Sequence, residues 1–165
     1  VRSRRQRQMC IRDRDEGDPK KAFDKAINNA KQVSMSLSDK FCVDRHKPHF
    51  LNLVKNKLDI TFANEEEITS LIDAKNFEDI IEFGKKIKKN LVITRGAKGA
   101  VSINNNLVSE IGISNNLNVI DLTGAGDLFA AGYLHGFINK FSQQDCLKKG
   151  TELASKVIQQ IGARL

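Results

Sequence analysis

Asp121-Leu122-Thr123-Gly124-Ala125-Gly126-Asp127 is the segment whose residue types and spacing point most directly to chemistry. It lies ahead of an apolar, helix-forming run. Gly124 and Gly126 lack Cβ atoms, so backbone there can approach a ligand closely. The amides of Gly124, Ala125 and Gly126 fall where a helix start leaves N–H groups unpaired and its dipole favours an anion. Asp127 follows in the first turn. A carboxylate is a poor phosphate ligand but a suitable general base for an attacking hydroxyl. Phosphoryl transfer asks for little beyond such positioning and charge neutralisation. The same residues would also serve as a Gly-rich turn with Asp127 as a dipole partner.

Two other groupings carry less. Gly96-Ala97-Lys98-Gly99 lacks the spacing of a Walker loop, and no helix follows it. Cys42, His46 and His49 match no zinc spacing and have no evident fourth ligand. They read as a packed thiol and two solvent-facing imidazoles.

The elements that must hold these residues follow from periodicity. Asp18-Pro19 starts a helix over about 19–31. Val33–Leu37 alternates as a strand. A helix is predicted around 44–56, with Pro48 restricting its early part. Leu58–Phe62 is predicted as a strand, Glu65–Ile72 and Phe77–Lys88 as helices, and Leu91–Thr94 as a further strand. Ala100–Ile103 and Leu107–Glu110 flank Asn104-Asn105-Asn106 as a hairpin. Asn118–Asp121 is predicted as a last strand, followed by helices over about 125–139 and 143–160. Phe129, Leu134, Phe137 and Ile138 form a core stripe on the first of these. Strands alternating with helices give an α/β class, with a mostly parallel sheet between two helical layers. Sites in such sheets lie beyond the carboxyl ends of strands.

Composition bounds the rest. The 165 residues make one domain's worth of chain, 40% hydrophobic and 28% charged. No apolar run reaches the roughly 18 residues of a membrane span. Residues 1–14 hold six arginines and one acid, and so carry +5 of the net +7. The stretch Arg4–Asp13 resembles a translated sequencing adapter. Residues 1–14 are therefore expected to be a disordered scar outside the fold, with the native protein beginning upstream. The near-neutral body, with Tyr133 its one tyrosine and no tryptophan, is not a nucleic-acid binder's pattern. Cys10, Cys42 and Cys146 form no disulfide ladder, so a reducing, cytoplasmic compartment is expected.

Asp121–Leu134, DLTGAGDLFAAGYL, resembles the second signature of the ribokinase-like, or PfkB, carbohydrate and nucleoside kinases. Phe62-Ala63-Asn64-Glu65-Glu66-Glu67 is similar to that family's Asn-x-x-Glu motif. Val92–Ala100 is similar to its nucleotide loop, and Gln160–Arg164 to a stretch near its cation and nucleotide site. Leu37–His46 is similar to adenosine-kinase-like members. These ordered matches cover about residues 15–165, which are read as the C-terminal part of such a kinase domain, without the N-terminal half.

The resemblance implies a role for each matching residue. Asp127 would be the catalytic base, and Gly124, Ala125 and Gly126 the anion hole. Asn64 and Glu67 would organise Mg2+ through water. Thr94, Gly96 and Gly99 would line ATP. Asp121 and Thr123 would bound a monovalent-cation site, possible for K+. The implied reaction moves the γ-phosphate of MgATP to a hydroxymethyl group of a sugar or nucleoside, adenosine-kinase-like by preference. A generic sugar kinase and a non-catalytic nucleotide-binding module stay open as alternatives. The resemblance implies a small-molecule substrate, with no nucleic acid and no membrane.

Overall fold

The computed structural model describes residues 19–113 and 116–165. The arginine-rich segment 1–14 lies outside them. A first unit ends at Val33 and contains α1, Pro19–Asn29. The second unit, 34–165, holds everything that follows.

That unit begins with β1 (Ser34–Ser36), then α2 (Lys40–Asn56), β2 (Ile60–Asn64), α3 (Glu65–Ile72) and α4 (Phe77–Ile87). Next come β3 (Asn90–Thr94), one turn of 3-10 helix over Gly96–Lys98, and the hairpin β4 (Ala100–Asn104) and β5 (Leu107–Ile111). Two helices close the chain, α5 (Ala125–Ile138) and α6 (Gln143–Val157). The strands form one sheet in chain order. β1, β2 and β3 run parallel, joined through helices, and the hairpin adds β4 and β5 antiparallel.

Period-two alternation divides the sheet into two apolar faces. Ile60, Phe62, Val92 and Ala100 pack with Phe129 and Tyr133 of α5 and Cys146 and Leu147 of α6. Leu91, Ile93, Val101 and Ile103 point the other way and are buried. There α3 packs on β2 and α4 on β4. A methyl on Gly84 of α4 would fall 2.8 Å from Ile103 Cδ1, so α4 lies directly against that face. The architecture is therefore the expected three-layer α/β sandwich. Each fully buried Leu or Ile contributes about 1.5–3 kcal/mol over its exposed state, and strands and helices both supply such residues to this core. On the first face a polar group interrupts the packing. Asn90 Nδ2 donates to Tyr133 Oη at 2.9 Å, Ser102 Oγ lies 2.9 Å from the same oxygen, and Gln143 Nε2 donates to Ser102 Oγ at 2.5 Å. Buried, mutually bonded groups of this kind avoid the desolvation cost of unpaired ones.

Several sequence expectations are corrected. Asn118–Asp121 is not a strand. Its backbone joins the chain end instead, the amides of Ile120 and Asp121 both donating to Ile158 O at 2.8 and 3.2 Å. Val119 and Ile120 have strand-like side chains, yet they are more than half exposed and lie on no sheet edge. β-propensity reflects packing on a partner, and none of the described strands pairs with this segment. α2 starts at Lys40 and not near 44, because Asp39 caps it by accepting from Cys42 N at 2.8 Å. It kinks at His46, two residues before Pro48, which cannot donate to the preceding turn. β2 sits two residues later than predicted, and α6 ends at Val157. Ile138, the last residue of α5, is exposed, and Tyr133 takes the buried position.

Candidate active site

The site is assembled from three junctions: one strand to helix, one strand to strand, and the turn that leads into α5. The first is β2 to α3, which meet without a linker. Asn64 ends the strand and caps the helix. Its side-chain oxygen accepts from Glu67 N at 2.8 Å, and Glu67 Oε2 accepts from Asn64 N at 2.9 Å. Asn64 Nδ2 also donates to Glu67 Oε1 at 2.9 Å. This capping box accounts for the exact start of α3. Glu67 is buried. The two residues read as metal organisers are thus first a structural pair, held rigid by three hydrogen bonds.

The second junction follows β3. Thr94 is the register partner of Asn64 on the neighbouring strand, and its hydroxyl reaches Ala63 O at 3.5 Å. The connection to β4 is closed by Arg95 N donating to Gly99 O at 2.8 Å. Gly96 has a φ of 56°, and a Cβ there would meet nothing within 4 Å. Gly99 differs. Its φ is 88°, and a Cβ would lie 1.9 Å from Ile111 O. Glycine at 99 is required by the β5 backbone beside it.

The third junction is the 121–127 turn. Gly124 is left-handed, with φ 81° and ψ −1°, and its Cα faces Ala163, whose Cβ would be 2.6 Å from a methyl. Asp121 clasps the two chain segments together. Oδ1 accepts from Thr123 N at 2.9 Å and Thr123 Oγ1 at 2.7 Å, and Oδ2 accepts from Gly162 N at 2.9 Å. Ala125 N is turned inward to Leu122 O at 3.2 Å. No side chain caps α5. The amides of Gly126 and Asp127 are then among the donors for which a helix start offers no intrahelical acceptor. Gly126 and Asp127 are exposed, and a Cβ on Gly126 would enter open space.

The helix direction relates this turn to the other junctions. Tyr133, in the third turn of α5, bonds Asn90, the first residue of β3. Phe129, one turn earlier, packs in the cluster with Ala100, the register partner of Thr94 at the last residue of β3. α5 therefore runs back along the sheet, with Gly124–Asp127 toward the carboxyl ends of the strands. Asn64, Glu67 and Thr94 lie at the same end, Asn64 and Thr94 on the face that α5 covers.

Asp121 makes the clasp sensitive to acid. Its carboxyl is held below the usual carboxylate range, first by the Thr123 hydroxyl, then by the Gly162 and Thr123 amides. A lowered folded value means the contribution is present above the unfolded carboxylate value, near pH 4, and is lost as pH falls through the folded value. Acidification below about pH 4 should therefore reduce the protection of the Gly162 amide, its exchange becoming fast relative to the intrinsic rate at the same pH. Asp121→Ala should show the fast exchange already at neutral pH. An unchanged Gly162 amide in that variant would refute the clasp.

Sequence reasoning missed Arg95. Its guanidinium Nε lies 3.0 Å from Glu65 Oε2, Nη1 lies 3.5 Å from Glu110 Oε1, and the group stacks 3.6 Å over the Phe77 ring. The only sequence signal was its place inside the 92–100 segment. Among the described residues no group of three or more His, Cys, Asp or Glu side chains is arranged to hold a metal, the Cys42–His49 segment included. Nor is any helix among them long and apolar enough to cross a membrane.

The fold and site together define a three-layer α/β protein with an uncapped helix start at the carboxyl end of a sheet. The profile described as pfkB family carbohydrate kinase matches residues 13–165. The chain belongs to that family. It is 34% identical over 107 residues to a 2-dehydro-3-deoxygluconokinase of Haemophilus influenzae, covering 63% of this chain and 33% of the relative. It is 31% identical to a cytidine kinase of Thermococcus kodakarensis, covering 68% and 41%. The crystal structure of adenosine kinase from Sinorhizobium meliloti superposes with a TM-score of 0.85 at 35% identity, covering 92% of this chain and 48% of that one. The chain thus spans a third to a half of the length of these relatives.

Proposed function

We propose that this chain provides the phosphate-handling part of an ATP-dependent phosphotransferase. The acceptor is a hydroxymethyl group of a sugar or nucleoside, with an adenosine-like nucleoside preferred. The observation that carries the reading is the start of α5: uncapped, glycine-lined, open at Gly126 and followed by Asp127. The preference for a nucleoside rests on the likeness to the Sinorhizobium meliloti adenosine kinase. A probable sugar kinase from Rhizobium etli, 39% identical with a TM-score of 0.78, supports the sugar alternative.

In the proposed reaction Asp127 accepts the proton of the acceptor hydroxyl as its oxygen attacks the γ-phosphorus. The bond to the β,γ-bridging oxygen breaks, and ADP leaves. The amides around Gly124–Gly126 and the α5 dipole meet the charge of the transferring group. The side chains fit Mg2+ in one respect. They offer hard oxygens from one carboxylate and one amide and no all-protein cage, the usual pattern for a metal held through water and phosphates. Asn64 and Glu67 would hold it, and it would supply neutralisation of phosphate charge. Thr94 and the Gly96 loop line the nucleotide in this reading. Gly99 supports the loop from beneath. A monovalent cation beside Asp121 and Thr123 belongs to the same proposal.

Gly126→Ala tests it. The added methyl meets no protein atom, and alanine is favoured over glycine in a helix by up to about 1 kcal/mol. Stability should therefore hold or rise. The methyl projects into the space assigned to phosphate, so ATP affinity measured by calorimetry should fall by about tenfold or more, the equivalent of 1.4 kcal/mol. Undiminished ATP affinity in a stable variant would remove the phosphate from this turn.

A further inference from the structure

The geometry points to Arg95 as a positioning residue that couples the metal junction to the nucleotide junction; this rests on the function proposed above. Arg95 itself follows Thr94 and begins the loop that carries Gly96. Its backbone closes that loop, N–H to Gly99 O and C=O from Lys98 N. Its side chain leaves the loop. Nε reaches Glu65, the first of the two residues between the Asn64 cap and Glu67, on the neighbouring strand-to-helix junction. Nη1 reaches Glu110 on β5, two strands away in the other direction. The Phe77 ring at the start of α4 supports the flat face.

Four properties make this more than a surface ion pair. The Arg95 side chain is 14% exposed and Glu65 33%, so solvent screens the pair incompletely. The guanidinium has a fixed planar fork and can serve two carboxylates and a ring at once. The partners belong to three different elements, so the contact fixes relative placement and not local helix stability. Finally, Arg95 itself lies outside the residues assigned to touch ligand. Lys98 approaches the other Glu65 oxygen only at 4.0 Å and is mostly exposed, so it does not duplicate the role.

The consequence is a linkage. A ligand that orders the Asn64–Glu67 junction should help a ligand that orders the 94–99 loop, because one side chain ties the two. Removing the tie should leave each junction able to bind but uncouple the two events. A lysine cannot span both carboxylates and lie flat on Phe77, so it should restore the coupling only in part.

The test measures ATP affinity of this chain with and without Mg2+, by calorimetry, for the native protein, Arg95→Met, Arg95→Lys and Glu65→Gln. The factor by which Mg2+ tightens ATP should fall about tenfold in Arg95→Met and in Glu65→Gln. It should fall less in Arg95→Lys, while metal-free ATP affinity changes little. A purely structural role would lower both affinities together and leave the factor alone. Amide exchange without ligand supplies the second measurement. Arg95→Met should speed exchange at Glu67 N and Gly99 N, with the α5–α6 amides unaltered. An unchanged Mg2+ factor in a native-like Arg95→Met that still binds ATP overturns the coupling. Should the native chain bind no ATP while both amides respond, the proposed function fails and the tie between the junctions stands. Should neither amide respond, the tie fails, whatever the nucleotide does. If Arg95→Met does not fold, Glu65→Gln carries the same two readouts.

Discussion

If Asp127 is the base of the proposed reaction, Asp127→Asn should lower phosphoryl transfer by about 10²–10⁴-fold, the usual cost of removing a general base, and should leave ATP binding nearly unchanged. The substitution keeps the size of the side chain and takes away its ability to accept a proton. Asp127 is exposed in the first turn of α5, so the fold does not depend on it. In the proposed function the anion is met by backbone amides at the start of α5, those of Gly126 and Asp127 among them, and the change leaves the backbone in place. The measurement is kcat with adenosine and with ribose as acceptors in an active form of the protein, beside an ATP titration. Retained kcat would overturn the base assignment. Lost ATP affinity with intact structure would make Asp127 a binding residue instead.

The distinction between local and non-local causes explains which features the sequence made legible. α3 was readable to the residue because its start is set within four positions: Asn64 and Glu67 cap each other. The hairpin was readable because Asn105 takes the left-handed conformation its turn needs, with φ 54°. The glycine turn before α5 was readable for the same reason. The failure at Asn118–Asp121 is of the opposite kind. Two adjacent β-branched residues, Val119 and Ile120, suit a strand by local propensity, but the segment is held by Ile158 and Gly162, some forty positions away. Arg95 was silent because its partners Glu65 and Glu110 lie 30 and 15 positions off in the chain. The Asn90–Ser102–Tyr133–Gln143 group was silent likewise, since nothing in a single sequence brings those four together. The site follows the same division. Its residue types were legible from the motif, and the tie that holds its junctions together was not.

Gly99 was read as a nucleotide contact, and the structure assigns it a different constraint, which leads to a large expected effect on stability. Gly99→Ala should destabilise the fold by about 3 kcal/mol or more. Two costs combine. The backbone there, φ 88° and ψ −135°, lies where residues with a Cβ are strained by about 1–3 kcal/mol. The new methyl would also fall 1.9 Å from Ile111 O and 2.8 Å from Gly112 Cα. Both neighbours are backbone, so no side chain can swing aside, and β5 must move away from β4. Separating them costs ladder hydrogen bonds beyond the overpacking itself. Gly96→Ala is the control. Its φ of 56° is left-handed too, costing roughly 1–2 kcal/mol, but a methyl there meets nothing within 4 Å. Denaturant midpoints of the two variants compared with the native chain decide the matter. A loss for Gly99→Ala no greater than that for Gly96→Ala would show that the β5 backbone yields freely. The requirement at 99 would then belong to the ligand after all. A much larger loss at 99, with nucleotide affinity disturbed at 96 in a folded protein, would divide the loop into a glycine that the sheet needs and one that the ligand needs.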